Sequence, residues 1–167
     1  MPRRDPFLKN QYYHIYNRWL KKSKLFFSFK DFQRFLFYIW EWMEKYRDSI
    51  GIVAYCILPN HFHFVMLNKQ EWLNLSKFIS KITSSYAKYI WAKYGLQWWK
   101  KLFESRFKAK LLADKEYLDQ CIHYVEFNAV KHKLTDHIEK RMFTSYDKNS
   151  KKTTPNEEIL ALDWEFV

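Results

Sequence analysis

The segment 50-IGIVAYCILPNHFHFVML-67 decides the fold. Two β-rich runs, Ile50 to Leu58 and His61 to Leu67, meet at a turn formed by Pro59 and Asn60. Runs of this composition on either side of a short turn predict a hairpin. Side chains alternate between the faces of a strand, so His61 and His63 project together and Phe62, Phe64 and Met66 project the other way. The apolar set belongs in a core. The imidazoles are then held side by side on a rigid sheet, within reach of one metal ion. Two histidines also fall at this spacing by chance, and the pair alone does not identify a metal site.

Working outward, Tyr12 to Asn17 reads as a short strand. Asp31 is the expected cap of a helix running to about Tyr46, with Phe32, Phe35, Leu36, Ile39, Met43 and Tyr46 at helical spacing. Downstream of the hairpin, Asn74 or Ser76 caps a helix to about Tyr94, which Gly95 is suited to end. Phe103 to Leu111 alternates apolar and small residues with Glu104, Arg106, Lys108 and Lys110, which predicts a half-exposed strand with a basic outer face. Asp114 caps a last helix through about Asn128. The order β-α-β-β-α-β predicts an α+β, ferredoxin-like (RRM-like) antiparallel sheet with helices on one face, plus an extra C-terminal helix. One domain over residues 1–148 is expected, followed by a tail, 149–167, whose Glu157, Glu158, Asp163 and Glu165 contrast with the basic body.

Lysine and arginine outnumber acidic residues 29 to 18, giving a formal charge of +11, and 21% of the chain is aromatic. Such an excess attracts polyanions, nucleic acid or an anionic membrane surface. No apolar run is long enough to span a bilayer and no signal core follows the basic N-terminus, so no membrane association and a cytoplasmic location are expected. Cys56 and Cys121 lie in apolar stretches without metal-type spacing and read as reduced core thiols. There is no glycine-rich phosphate loop, no Gly-x-Ser-x-Gly elbow and no Cys-x-x-Cys pair, which argues against nucleotide hydrolysis, elbow-type serine hydrolysis and dithiol chemistry.

Tyr124 and Asn128 sit one turn apart on one face of the last helix. A tyrosine hydroxyl has an unperturbed pKa near 10 and needs help to act as a nucleophile. A divalent ion on the target phosphate supplies part of it, and the Asn128 carbonyl offers a third, hard ligand. An ordinary amphipathic core tyrosine fits the same spacing. Arg106, Lys108 and Lys110, with Arg3, Arg4 and Arg18, form a candidate phosphate-contacting set. Tyr12, His14 and Tyr16 share a face of the first strand and can present stacking groups beside the histidines, or pack in the core.

Four ordered segments carry a resemblance: Tyr13-His14-Ile15-Tyr16-Asn17-Arg18, Leu58-Pro59-Asn60-His61-Phe62-His63-Phe64, Phe103-Glu104-Ser105-Arg106-Phe107-Lys108 and Tyr124-Val125-Glu126-Phe127-Asn128-Ala129-Val130. Together they resemble the single-tyrosine transposases with a His-hydrophobic-His metal motif, closest to those associated with repetitive extragenic palindromes. A late Thr144-Ser145-Tyr146 extends the match. The resemblance implies that Tyr124 is the nucleophile and that His61, His63 and Asn128 hold magnesium or manganese; by ligand type alone, imidazoles also suit zinc. It further implies a single-stranded DNA target beside a hairpin or palindromic repeat, a 5′-phosphotyrosine link with a free 3′-hydroxyl, and a bacterial, nucleoid-associated setting. The family contains monomers and homodimers. Departures are Trp19 in place of a glycine, Ala129 in place of a proline, and Lys131-His132, which keeps only the charge of the family's basic and small pair. Two other readings stand beside this one: a domesticated, non-cleaving binder of structured DNA, and an RNA-binding ferredoxin-like module that stacks bases on sheet aromatics.

Overall fold

The hairpin is the spine of the fold. The computed structural model describes residues 7–20, 24–70, 74–97, 101–131 and 144–145. Its elements are β1 (Gln11–Arg18), α1 (Phe29–Tyr46), β2 (Ile50–Leu58), β3 (His61–Asn68), α2 (Asn74–Tyr94), β4 (Lys108–Leu112) and α3 (Lys115–Lys131). The strands form one sheet in the order β2-β3-β1-β4, with every neighbouring pair antiparallel. This is the expected ferredoxin-like arrangement.

Each face of the sheet has its own core. On one, Ile15, Ile52, Ile57, Phe62, Phe64 and Met66 meet Phe32, Phe35 and Ile39 of α1 and Phe78, Ile82 and Tyr86 of α2. On the other, Ala54, Cys56, Leu58 and Val65 meet Leu112 of β4 and Cys121 and Val125 of α3. The extra helix therefore lies opposite the first two. The β2 strand serves both cores because its register shifts between Ile52 and Ala54. A bulge adds one residue to a strand and resets which face each later side chain takes. Without it Ala54 would share the face of Ile52, and α3 would meet a different row of side chains.

Three expectations need correction. The cap of α1 is Ser28, whose hydroxyl accepts from the Asp31 amide while the Asp31 carboxylate accepts from the Ser28 amide. Asp31 thus closes a capping box from inside the helix. The fourth strand is only Lys108–Leu112; Phe103 makes an isolated bridge with Trp19 instead. As an edge strand it leaves Leu111 exposed and buries Leu112, so its lysines share a face with the α3 core. Finally, α3 runs to Lys131, past the expected end at Asn128.

The other ends follow their chemistry. Gly95 takes a positive φ of 61° after α2, and the Leu96 amide donates to the Trp91 carbonyl at 3.1 Å, a Schellman-type stop. The Asp114 carboxylate accepts from the Tyr117 amide at 2.7 Å and caps α3. Both cysteines are buried free thiols. No described helix is long and apolar enough to cross a membrane.

Candidate active site

The sheet register gathers the polar side chains. On the α3 side of the sheet, Tyr16 of β1 lies opposite His63 of β3 and Lys108 of β4, while Arg18 lies opposite His61 and His14 opposite Lys110. Side chains directly opposite or diagonal across strands lie within contact range. The rings of His61 and His63 are 5.0 Å apart between centroids. His14 stacks 5.2 Å from His63, and its Nε2 is 2.9 Å from the His63 Nδ1. Tyr16 stacks 5.8 Å from His63. Asn60, in the turn, hydrogen-bonds the Nδ1 of His61.

Over this row stands α3. Its Tyr124 is half exposed, and its ring lies edge-on to His63 and His14, at 5.8 and 6.0 Å between centroids. Helix and sheet enclose an open cavity of about 730 Å³ whose walls carry His14, Arg18, His61, His63, Lys108, Lys110 and Tyr124. Burial, with the Lys110 ammonium next, holds the His14 imidazole down to about 4, so that ring is neutral at pH 7. A hydrogen bond to Tyr117 pushes the Lys110 ammonium above its ordinary range, and Lys110 stays charged beneath α3, 4.8 Å from the Tyr117 ring centroid.

A family model described as "Transposase IS200 like" matches residues 7–128, which span the whole sheet and most of α3. The chain belongs to the IS200-like transposase family. Among solved structures, the REP-associated tyrosine transposase bound to a REP hairpin shares the fold with a TM-score of 0.68. It is 17% identical, and the match covers 93% of this chain and 88% of that one. A proposed transposase from Deinococcus radiodurans R1 superposes with a TM-score of 0.49 at 12% identity, over 75% of this chain and 96% of its own. The tRNA(His) guanylyltransferase of Saccharomyces cerevisiae also reaches 0.49, at 15% identity, over 93% of this chain and 78% of its own. None of the curated proteins matches the sequence.

In this transposase the remaining expected residues are less tightly gathered. Arg106 is exposed in the segment before β4 and is not in the cavity wall. Asn128 is buried one turn beyond Tyr124, and its Nδ2 has no hydrogen-bond partner among the described residues. Arg3, Arg4, His132 and the acidic tail lie outside the described residues. Tyr117, Gln120 and Cys121 line the cavity although their positions carried no signal beyond helical periodicity. Burial pushes the Cys121 thiol up to about 11 against the pull of Lys110, so it is protonated and not a nucleophile at neutral pH.

A further set of positioning contacts comes from Thr144 and Ser145. Thr144 bridges Cys56 on the free edge of β2, and the Ser145 amide donates to the Tyr55 carbonyl at 3.0 Å. The Ser145 hydroxyl accepts from the Tyr55 amide and donates to the Glu126 carboxylate, both at 3.0 Å. Burial pushes the Glu126 carboxyl up, and Ser145 and His123 act against that shift. This strap ties α3, and with it Tyr124 and Asn128, to the edge of the sheet. Ser145→Ala should lower stability by roughly 1–3 kcal/mol, since it strands two buried groups. Urea denaturation of the full chain measures this.

Proposed function

We propose that this transposase cuts and rejoins single-stranded DNA beside a hairpin, with Tyr124 as nucleophile and a divalent ion as cofactor. The observation that carries the reading is the meeting of the Tyr124 ring with the His61–His63 pair in one open, basic cavity. The donor set fits a divalent ion. Two imidazoles stand side by side, and among the described residues no group of three His, Cys, Asp or Glu side chains is placed to hold a metal. We take the third ligand to be Asn128, which is buried with an unpartnered amide nitrogen one turn beyond Tyr124, although it is not in the cavity wall. A half-turn of its carboxamide exchanges that nitrogen for the carbonyl oxygen. His61, His63 and Asn128 would hold magnesium or manganese, which would neutralise charge at the phosphoryl oxygens.

The chain's own residues do the rest. Arg18, Lys108 and Lys110 hold the backbone phosphates of the strand against the cavity floor. The hydroxyl of solvent-exposed Tyr124 gives its proton to water, its oxygen bonds to phosphorus, and the bond to the 3′ oxygen breaks as that oxygen takes a proton from water. A 5′-phosphotyrosine and a free 3′-hydroxyl result. Attack by another 3′-hydroxyl reverses the step and joins strands. Tyr117 lines the same cavity but lies two turns away from Tyr124, roughly 10 Å along α3. An RNA-binding module that stacks bases on open sheet aromatics fits less well, because α3 packs across that face.

Denaturing electrophoresis with labelled hairpin DNA and single-stranded flanks tests the proposal. A covalent adduct is expected only with magnesium or manganese, and not in His61→Ala. If DNA shifts in native gels and no adduct forms with any hairpin or metal, the chain is a non-cleaving binder. Lys108→Ala and Lys110→Ala should each weaken binding for all sequences alike. Each should also reduce the slope of log affinity against log salt by about 0.7, the value for one lost single-strand phosphate contact. Fluorescence anisotropy between low and moderate salt measures both effects.

A further inference from the structure

The hydrogen bond between His14 and His63 admits one proton, and its direction follows from the metal reading above, on which this inference rests. A metal-bound imidazole presents a bare ring nitrogen and donates N–H from the other to an outer partner that fixes its plane. The Nδ1 of His63 faces the Nε2 of His14 at 2.9 Å. If His14 were the donor, the single N–H of neutral His63 would sit on its Nε2, and neither ring nitrogen would be available for a metal. If His63 is the donor, its Nε2 carries no proton and is aimed away from His14, and His14 carries its own proton on Nδ1. Only the second arrangement is compatible with metal binding.

We propose that His14 is a positioning residue for His63: it accepts the Nδ1–H of His63 and so holds that ring in the tautomer and plane a divalent ion needs. The setting is built for this. The two rings are within 20° of parallel, and His14 is flanked by Tyr16 at 5.0 Å and Tyr124 at 6.0 Å. The β1–β3 register puts His14 opposite Val65, diagonal to His63, so the contact depends on the sheet and not on a mobile loop. His14 therefore acts on the metal through His63, from its place in the cavity wall.

The test uses the full chain and manganese alone. Titration followed by Mn²⁺ electron paramagnetic resonance, without DNA, should give a dissociation constant raised by about 10- to 100-fold in His14→Phe, the usual penalty for losing such an outer partner. His14→Gln, whose side-chain oxygen accepts the same hydrogen, should recover part of the loss. The circular dichroism spectrum and urea midpoint of His14→Phe should match those of the wild-type chain, which separates loss of the metal from loss of the fold. Unaltered manganese affinity in His14→Phe overturns the inference and leaves the proposed function standing. No manganese binding by the wild-type chain overturns both. A variant-free check is the nitrogen NMR spectrum of the two rings, where a proton on the Nε2 of His63 would refute the assignment.

Discussion

Tyr124→Phe is expected to abolish the covalent protein–DNA adduct, lowering its yield by about a thousandfold or more, while hairpin affinity stays within about twofold of wild type. The substitution removes one oxygen and keeps the ring. Tyr124 is 52% exposed, so its hydroxyl contributes little to folding, and surface changes of this kind usually fall within about 0.5 kcal/mol. Its edge-on contacts with His14 and His63 involve the ring alone and survive. The loss is thus confined to the step in which that oxygen attacks phosphorus. Removal of a nucleophile eliminates nearly all of the chemistry that a site performs as a unit. Denaturing gels of the adduct, with native gels of the same samples, read the two quantities separately. A residual adduct near wild-type level would transfer the nucleophile to another hydroxyl in the cavity, with Tyr117 the first to substitute. Loss of binding together with the adduct would mean that the phenol contacts DNA in the ground state.

How much of this site was legible beforehand depended on whether short-range periodicity carried the information. The alternation in His61-Phe62-His63-Phe64 placed both imidazoles on one face and both phenylalanines in the core, as the structure has them. The helical spacing of Tyr124 and Asn128 is likewise found on α3. What escaped was nonlocal. The place of His14 beside the histidines was open in the sequence, but its contact with His63 is diagonal across two strands and requires the register between them. The bulge between Ile52 and Ala54 leaves no mark in a run where every residue is apolar or small. The shortened β4 escaped because Phe103 to Phe107 keeps the alternating pattern of a strand yet has only an isolated bridge as partner. Ser28 and Asp31 are both good capping residues three apart, and only the reciprocal bonds show that Ser28 is the cap. The strap at Thr144 and Ser145 pairs with Tyr55 and Cys56, some 90 positions earlier, by a two-residue contact too short to have a period.

Asp31→Ala is expected to destabilise the fold by roughly 1–3 kcal/mol, the range for leaving the donors of a buried carboxylate unsatisfied. The side chain is fully buried, and five donors converge on its two oxygens. Oδ1 accepts from Lys93 Nζ at 2.6 Å and Tyr89 Oη at 2.9 Å; Oδ2 accepts from Tyr94 Oη at 2.6 Å and from the amides of Ser28 and Phe27 at 2.8 and 3.0 Å. Burial alone would push the carboxyl up, but the bonds from Lys93, Tyr94, Tyr89 and Ser28 outweigh it and bring it down to about 2. A folded-state pKa below the unfolded value stabilises the protein above the unfolded value, near 3.9, and that contribution is lost as pH falls toward 2. The gap in stability between wild type and the variant should therefore be full at pH 7 and shrink between about pH 4 and pH 2. Asp31→Asn should be nearly as damaging as Asp31→Ala, because an amide nitrogen would face donors in place of an acceptor. The effect reaches the active site by a short route. Asp31 ties the start of α1 to the last turn of α2, and the same segment holds the turn of the histidine hairpin through the Leu25 amide and the Pro59 carbonyl. Urea denaturation of the full chain at several pH values measures the loss. A difference below about 1 kcal/mol at pH 7 would mean that Ser28 alone caps α1 and that the tyrosine and lysine contacts are incidental.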